Sequence, residues 1–289
     1  MQLVMLEGVV VRALGGFYFV YGDNKEYRCY LRGKIKRDMK VLVGDYVLVE
    51  VLNEQEAVIE KVLPRKNWLL RPPIANIAQG VVIMSLTTPP FNANLLNRLL
   101  VLIQAAGLKP VICLHKVDLV TNETVEEKIS TYQDAGFIVF ATSIKSGAGI
   151  EQLRTALKDK TSVFAGPSGA GKSSLLNRLE PGLSLQTGEV SKKLRRGRHT
   201  TTHVQLLPLT GGGWVADTPG FTTLDLVGIT QRELMYYFPE FISCATECRF
   251  NPCLHRHEPN CAVKEAVEAG KIKEERYIHY LEFLQELEA

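Results

Sequence analysis

The chain has 289 residues, 46% of them hydrophobic and 22% charged, a length for two or three modest domains and the composition of a soluble globular protein. Its formal net charge of +3 excludes an argument for a nucleic-acid partner from the total, so such a partner has to be argued from local patches. Three features predict a cytoplasmic protein with no membrane partner and no disulfide framework: apolar runs short of the roughly 18 residues of a membrane span, a start (MQLVMLEGVVVRALGG) without a basic segment and cleavage site, and six cysteines of which four crowd into 244–261.

Residues 1–64 read as five short strands, EGVVVRAL, FYFVY, YRCYLR, YVLVEVL and AVIEKVL, separated by the turn signals LGG, GDN and VGD. This predicts a small N-terminal β-barrel of OB type. The loop RGKIKRDMK is basic, which fits either a solvated loop or a contact to nucleic acid. The Pro-rich PRKNWLLRPPIANIAQG (64–80) reads as a linker. Strand–helix alternation follows. GVVIMSL is a continuous apolar run, as a strand covered on both faces should be. NANLLNRLLVLIQAAG has helical spacing and stops at Gly107. KPVICL, FIVFATS, SVFAG, HVQLLPL and GGWVAD are strands, and ETVEEKISTYQDAG, GIEQLRTALKD and KSSLLNRL are helices. The alternation predicts a central α/β domain over 65–228, with helices on both faces of a sheet. Cys29 and Cys113 fall in predicted strands and are expected in the core.

Within that domain CLHKVDL (113–119) comes first: an apolar strand, then His115, Lys116, Val117 and Asp118. A carboxylate at Asp118 can accept from the N1–H and exocyclic amine of guanine, a pair that adenine does not present. The stem of Lys116 can lie across the base. ATSIKSG (141–147) has the form of a second base loop, with the Ser143, Ile144 and Lys145 backbone near guanine O6. Both loops lie at strand C-termini, where open α/β sheets bind ligands.

GPSGAGKSS (166–174) fits the phosphate-loop pattern between a strand and a helix. Gly166, Gly169 and Gly171, with Pro167, Ser168 and Ala170 between them, let backbone N–H groups turn inward around phosphate oxygens. Lys172 reaches the outer phosphates, Ser173 offers a hydroxyl to Mg²⁺, and Ser174 continues into the helix. VSKKLRRGRHTTTH (190–203) is where a switch segment should sit. Of its three adjacent threonines, distance to the next strand favours Thr201 for Mg²⁺ and the γ-phosphate. Five basic residues between Lys192 and Arg198 exceed what a magnesium site needs and suit an RNA backbone, although a solvated loop has the same composition. WVADTPGF (214–221) places Asp217 to hold Mg²⁺ through water and the Gly220 N–H to sense the γ-phosphate. Phe221 stands where many GTPases carry a Gln that orients water. His199, beside the threonines, is the internal candidate to replace that Gln.

The tail changes again at 229. CRFNPCLHRHEPNC (248–261) presents Cys248, Cys253, His255 and Cys261, three thiolates and an imidazole that complete a tetrahedral structural zinc site. Cys244 and His257 are further candidates. Charged helical sequence ends the chain, and its last helix has either this tail or a ribosome to dock on. No apolar stripe marks a dimer surface, so a monomer is expected.

The nucleotide motifs run base, base, phosphate, switch, switch, whereas ordinary GTPases run phosphate, switch, switch, base, base. Joining the old ends and cutting before the base-reading half keeps every loop in place, and such permutation is tolerated where ends lie close. On GPSGAGKSS, RGRHTTT, DTPGF and the cysteine cluster, the chain resembles over its whole length the bacterial ribosome small subunit-dependent GTPase A family, also called YjeQ. The resemblance implies a multi-domain chain: OB-type β-barrel (1–64), circularly permuted P-loop GTPase (65–228) and zinc-binding helical domain (229–289). It implies GTP or GDP with Mg²⁺, one structural Zn²⁺, and a GTPase that binds the 30S ribosomal subunit and its rRNA late in assembly. It also implies that the subunit stimulates hydrolysis, that hydrolysis promotes release, and that a switch His such as His199 is catalytic with Lys172 and Thr201. The family usually carries Asn where this chain has His115, so weaker guanine affinity is expected, with preference kept through Asp118. Two other readings stand beside it. One is an RNA-binding nucleotide sensor with little hydrolysis, which Phe221 and the barrel favour. The other is a P-loop kinase or ATPase, which Asp118 and the Ser143 loop oppose.

Overall fold

The computed structural model describes residues 4–33, 40–69, 72–183, 204–217 and 224–288. They form two compact units. The first takes Met1–Gln79, Arg154–Phe164 and Leu176–Phe221, the second Gly80–Leu153, Ala165–Leu175 and Thr222–Ala289.

The first unit holds the barrel: β1 (Val4–Leu14), β2 (Phe17–Gly22), β3 (Lys25–Leu31), β4 (Tyr46–Val51) and β5 (Glu56–Val62). β1 is long enough to serve two partners. Val4–Val9 pairs antiparallel with β4, and Val9–Leu14 pairs with β2. A register shift between Val10 and Arg12 marks the bulge that bends the strand between them. β3 lies parallel to β5 and β5 antiparallel to β4, so the sheet closes on itself. Alternate residues fill the interior: Val47 and Val49, Ala57 and Ile59, Tyr27 and Cys29 are all buried. Asp23 and Asn24, both left-handed, form the two-residue turn between β2 and β3.

The segment read as a linker is instead packed. Trp68–Leu69 (β6) and Ile74–Ala75 (β7) pair as a small hairpin, and Ile74 bridges to Val43. Amide side chains hold it in place: Asn67 bonds both the N–H and the carbonyl of Ile77, and Asn76 Nδ2 donates to the Gly44 carbonyl. The buried Asp45 accepts from Nε of the half-buried Arg65, in the same segment, at 2.6 Å and from the Leu42 N–H at 2.7 Å. The same unit carries β11 (Thr161–Ala165), β12 (Gln205–Pro208) and β13 (Trp214–Asp217), with β13 parallel to β11 and antiparallel to β12.

The second unit begins with β8 (Gln79–Ser85), buried along its whole length as its apolar run predicts. Helix α1 (Ala93–Ala105) follows, capped by Asn92, whose side chain accepts from the Leu95 N–H. It buries Leu96, Leu99, Leu100 and Ile103. The helix lies so close to β8 that a Cβ at Gly80 would stand 2.7 Å from Ile103 Cδ1. Gly80→Ala is therefore expected to cost about 1–3 kcal/mol by overpacking, read as a lower urea midpoint. Next come β9 (Lys109–His115), α2 (Asn122–Asp134), β10 (Ile138–Thr142) and α3 (Ile150–Leu157). β9 and β10 are parallel with Thr142 opposite His115, so the two strands finish side by side. The phosphate loop leads into α4 (Lys172–Leu179).

The tail folds as α5 (Gln231–Leu234), α6 (Pro239–Ala245), α7 (Ala262–Glu268) and α8 (Glu274–Glu286) around Phe238, Phe241, Val263, Tyr280 and Phe283. The last helix docks within the chain. Tyr277 and Tyr280 donate to the carbonyls of His255 and Leu254 at 2.7 and 2.9 Å, and Glu286 takes both Arg98 Nη atoms of α1. Arg276, 2% exposed, pairs with Glu240, donates to Asn97 of α1 and lies over the Phe137 and Phe238 rings. Among the described residues no helix is long and apolar enough to cross a membrane.

Candidate nucleotide site and metal centre

Three glycines shape the phosphate loop. Gly166, Gly169 and Gly171 have φ of +132°, +81° and +101°, conformations that side chains disfavour. At two of them space forbids a side chain too: a Cβ at Gly166 would lie 2.1 Å from the Ile83 carbonyl oxygen, and one at Gly171 2.6 Å from His115 Cδ2. Lys172 opens α4 and curls back, its Nζ donating to the Gly166 and Pro167 carbonyls at 2.8 Å each. Burial lowers its pKa. Ser173 and Ser174 follow in the first turn, where helical N–H groups and dipole favour an anion.

The first base loop turns on Lys116, left-handed at φ 62°, which sends the chain into a 3₁₀ turn at Val117–Leu119. That turn brings Asp118 against the second loop, where Ser143 Oγ donates to Asp118 Oδ1 at 2.5 Å. This hydrogen bond holds the exposed carboxyl below its ordinary pKa, so it is an acceptor throughout the neutral range. Ser143 is buried, Ile144 half-buried and Lys145 exposed; the Ser146 and Gly147 N–H groups close this turn onto Ser143. Lys116 spans to the phosphate loop, with Nζ on the carbonyls of Thr88 (2.5 Å) and Gly169 (2.9 Å). His115 is 2% exposed, and its Nδ1 lies 2.9 Å from Thr142 Oγ1.

The structure thus brings together the first base loop (115–118), the second (143–145) and the phosphate loop (166–174). Asp217 ends β13. His199, Thr201, Gly220 and Phe221 lie outside the described residues. Thr142 and the Thr88 carbonyl are additions that the sequence reading missed. Thr142 could have been found from parallel pairing of the two strands, which sets it opposite His115; Thr88 had no local signal. An Asp118→Asn substitution replaces an acceptor by a donor. It is expected to lower GDP affinity by about 1–3 kcal/mol and to favour xanthine, which has a carbonyl in place of the amine, in a competition titration.

Cys248, Cys253, His255 and Cys261 converge, their donor atoms all within 4.8 Å of one another. The Cys248–Cys261 and Cys253–Cys261 sulfur separations are 3.9 Å, and His255 Nδ1 lies 3.6 and 3.3 Å from Cys248 and Cys261. Zinc bonds of about 2.3 Å to sulfur and 2.0 Å to nitrogen require tetrahedral edges of about 3.5–3.8 Å, so the set fits the ion and is too open for disulfides. Burial pushes the Cys253 thiol up to about 12, so ionising the sulfurs together needs a cation among them. Nδ1 is the His255 nitrogen that faces the Cys248 and Cys261 sulfurs, on a left-handed backbone whose carbonyl accepts from Tyr277. Cys244 and His257 stand outside the group.

Residues 62–227 match the RsgA GTPase family, and residues 7–59 match the RsgA N-terminal domain. The chain belongs to the RsgA GTPase family. It is 47% identical over 283 residues to the small ribosomal subunit biogenesis GTPase RsgA of Caldanaerobacter subterraneus subsp. tengcongensis, covering 98% of this chain and 96% of that protein. It is 43% identical over 292 residues to the RsgA of Bacillus subtilis, covering 98% of each. Among solved structures it resembles YloQ, described as a circularly permuted GTPase, with TM-score 0.82 and 39% identity over 99% of this chain and 96% of that one. YjeQ from Thermotoga maritima gives TM-score 0.85 and 37% identity over 98% and 99%. The RsgA family makes the chain a GTP hydrolase, and its inverted motif order is a circular permutation. The kinase reading gives way to it.

Proposed function

We propose that this GTPase binds the 30S ribosomal subunit during late assembly, that the subunit stimulates its hydrolysis, and that hydrolysis promotes release. The observation that carries this is the convergence of three loops, Lys116 Nζ on Gly169 and Asp118 beside Ser143, in a chain similar along its length to proteins named for small-subunit biogenesis. In this reading the backbone of 166–171 and Lys172 hold the phosphates. Ser173, Thr201 and Asp217 would hold Mg²⁺, which would supply charge neutralisation for phosphoryl transfer. Asp118, with the 143–145 backbone, selects guanine. Phe221 cannot orient water, so His199 or the subunit does. The basic segment 192–198 and the barrel meet rRNA, the zinc holds the tail folded, and the protein acts as a cytoplasmic monomer with domains at 1–64, 65–228 and 229–289.

The test is sedimentation with purified 30S subunits. The chain should co-pellet with a non-hydrolysable GTP analogue and stay in the supernatant with GDP. Equal pelleting in both states would remove hydrolysis-driven release from the account.

A further inference from the structure

The RsgA resemblance leaves His115 unexplained, because an imidazole stands where Asn is expected. The ring does not lie with the exposed Asp118. It is enclosed, 2% exposed, between β10 and the phosphate loop. On one side Nδ1 meets Thr142 Oγ1 at 2.9 Å. On the other, Cδ2 and Nε2 face Gly171 so closely that a Cβ there would stand 2.6 and 3.0 Å from them. Lys116, the next residue, reaches Gly169 of the same loop. One ring therefore touches the strand that feeds the second base loop and the loop that holds phosphate, while its own strand feeds the first base loop.

We infer that His115 is a positioning residue and not a base contact: its neutral ring keeps the two base loops and the phosphate loop in register, so acid weakens guanine nucleotide binding by this chain. The inference rests on the reading of this pocket as the guanine site.

The Thr142 hydroxyl lies between His115 Nδ1 (2.9 Å), Cys113 Sγ (3.2 Å) and the Leu114 carbonyl (3.4 Å), so it can pair with Nδ1 in either neutral tautomer. The protonated ring carries a hydrogen on both nitrogens: Thr142 can then no longer donate to Nδ1, and the Nε2 hydrogen faces Gly171 across a gap that one methyl overfills. It would also set a positive charge beside Lys116. The facing groups offer little compensation. Asp118 is exposed and engaged by Ser143. From β9, burial pushes the Cys113 thiol up to about 12, so it is uncharged. β10 presents Thr142 and the phosphate loop presents Gly171, neither charged. Lys172, next in the loop, holds its Nζ on Gly166 and Pro167. Burial and then Lys116 lower the pKa of His115, so the neutral form persists below the ordinary imidazole range. The sign follows. Binding is unaffected at and above pH 7 and declines below the lowered pKa, by up to about tenfold per pH unit.

The experiment is a GDP titration from pH 8 down to pH 5 (within the range the fold tolerates) for the parent chain, His115→Asn and His115→Ala. His115→Asn keeps an uncharged hydrogen-bonding side chain and controls for ionisation of the nucleotide. The parent should lose affinity in acid several-fold more than His115→Asn. The same titration with 7-deaza-GDP tests base contact at N7: His115→Ala should weaken both nucleotides by the same factor. Parallel pH profiles for the parent and His115→Asn would overturn the inference. So would a loss in His115→Ala confined to GDP, which would make the ring a base contact. Failure of the parent to bind GDP at any pH would overturn the guanine-site assignment, and the role of His115 with it.

Discussion

The Lys172→Ala variant is expected to hydrolyse GTP about 10²–10³-fold more slowly than the parent chain, a loss of roughly 3–4 kcal/mol of transition-state stabilisation. Phosphoryl transfer leaves the protein little covalent chemistry to do, so catalysis rests on position and charge. Lys172 is fixed at the first residue of α4, and its Nζ lies within the loop on the Gly166 and Pro167 carbonyls. The other ammonium near this loop, Lys116 Nζ, is committed to Thr88 and Gly169. With its Nζ on those two carbonyls, it is not expected to substitute for Lys172. Arg at position 172 should not rescue, because its planar fork needs more room than a point-like ammonium in a loop where Gly171 already touches His115. Single-turnover hydrolysis reads the effect directly. A turnover within a fewfold of the parent would place the phosphate charge on some other group.

Removing the metal, or making Cys253→Ser, is expected to unfold the tail. Structural zinc sites carry apparent binding free energies on the order of 10 kcal/mol, and much of that is folding free energy. Here the ligands are part of the packing. Cys253 and Cys261 are buried in one cluster with Phe241, Tyr280 and Phe283, and His255 is wholly buried against Phe241. Loss of the ion leaves three crowded thiols that take up protons, and with it go the bonds that tie Cys248, Cys253, His255 and Cys261 together. The expected observation is loss of helical signal and a lower urea midpoint on chelation, with one zinc released per chain. The pH sign follows from the raised Cys253 thiol: protons compete with metal, so zinc is held more weakly as pH falls. A metal-free protein with an unchanged urea midpoint would show that the aromatic core suffices without the ion.

Much of this was legible because the signals are local. The glycines of the phosphate loop lie within six residues, and the backbone angles they permit are the angles observed. The candidate metal ligands fall between 248 and 261, and the barrel strands show alternation that burial reproduces at Val47, Val49, Ala57 and Ile59. What was not legible depends on distant partners. The 64–80 run looked like a linker because it is Pro-rich and breaks the strand pattern; the side chains of Asn67 and Asn76 hold it to Ile77 and Gly44, a pairing no local pattern announces. The last helix offered two docking partners, and only the fold shows Arg98 and Asn97 of α1 meeting Glu286 and Arg276. The imidazole at His115 looked like a weak substitute for a base contact. Its burial against Thr142 and Gly171 emerges only when strand register and loop are seen together.

The central claim is that this pocket hydrolyses GTP in answer to a ribosomal subunit. The most direct measurement is turnover of GTP beside ATP, each with and without purified 30S subunits. The account predicts slow GTP hydrolysis that rises strongly with 30S, and no comparable ATP hydrolysis in either condition. Equal turnover of the two nucleotides would contradict the guanine reading of Asp118, and GTP hydrolysis indifferent to 30S would contradict the subunit as the activating partner.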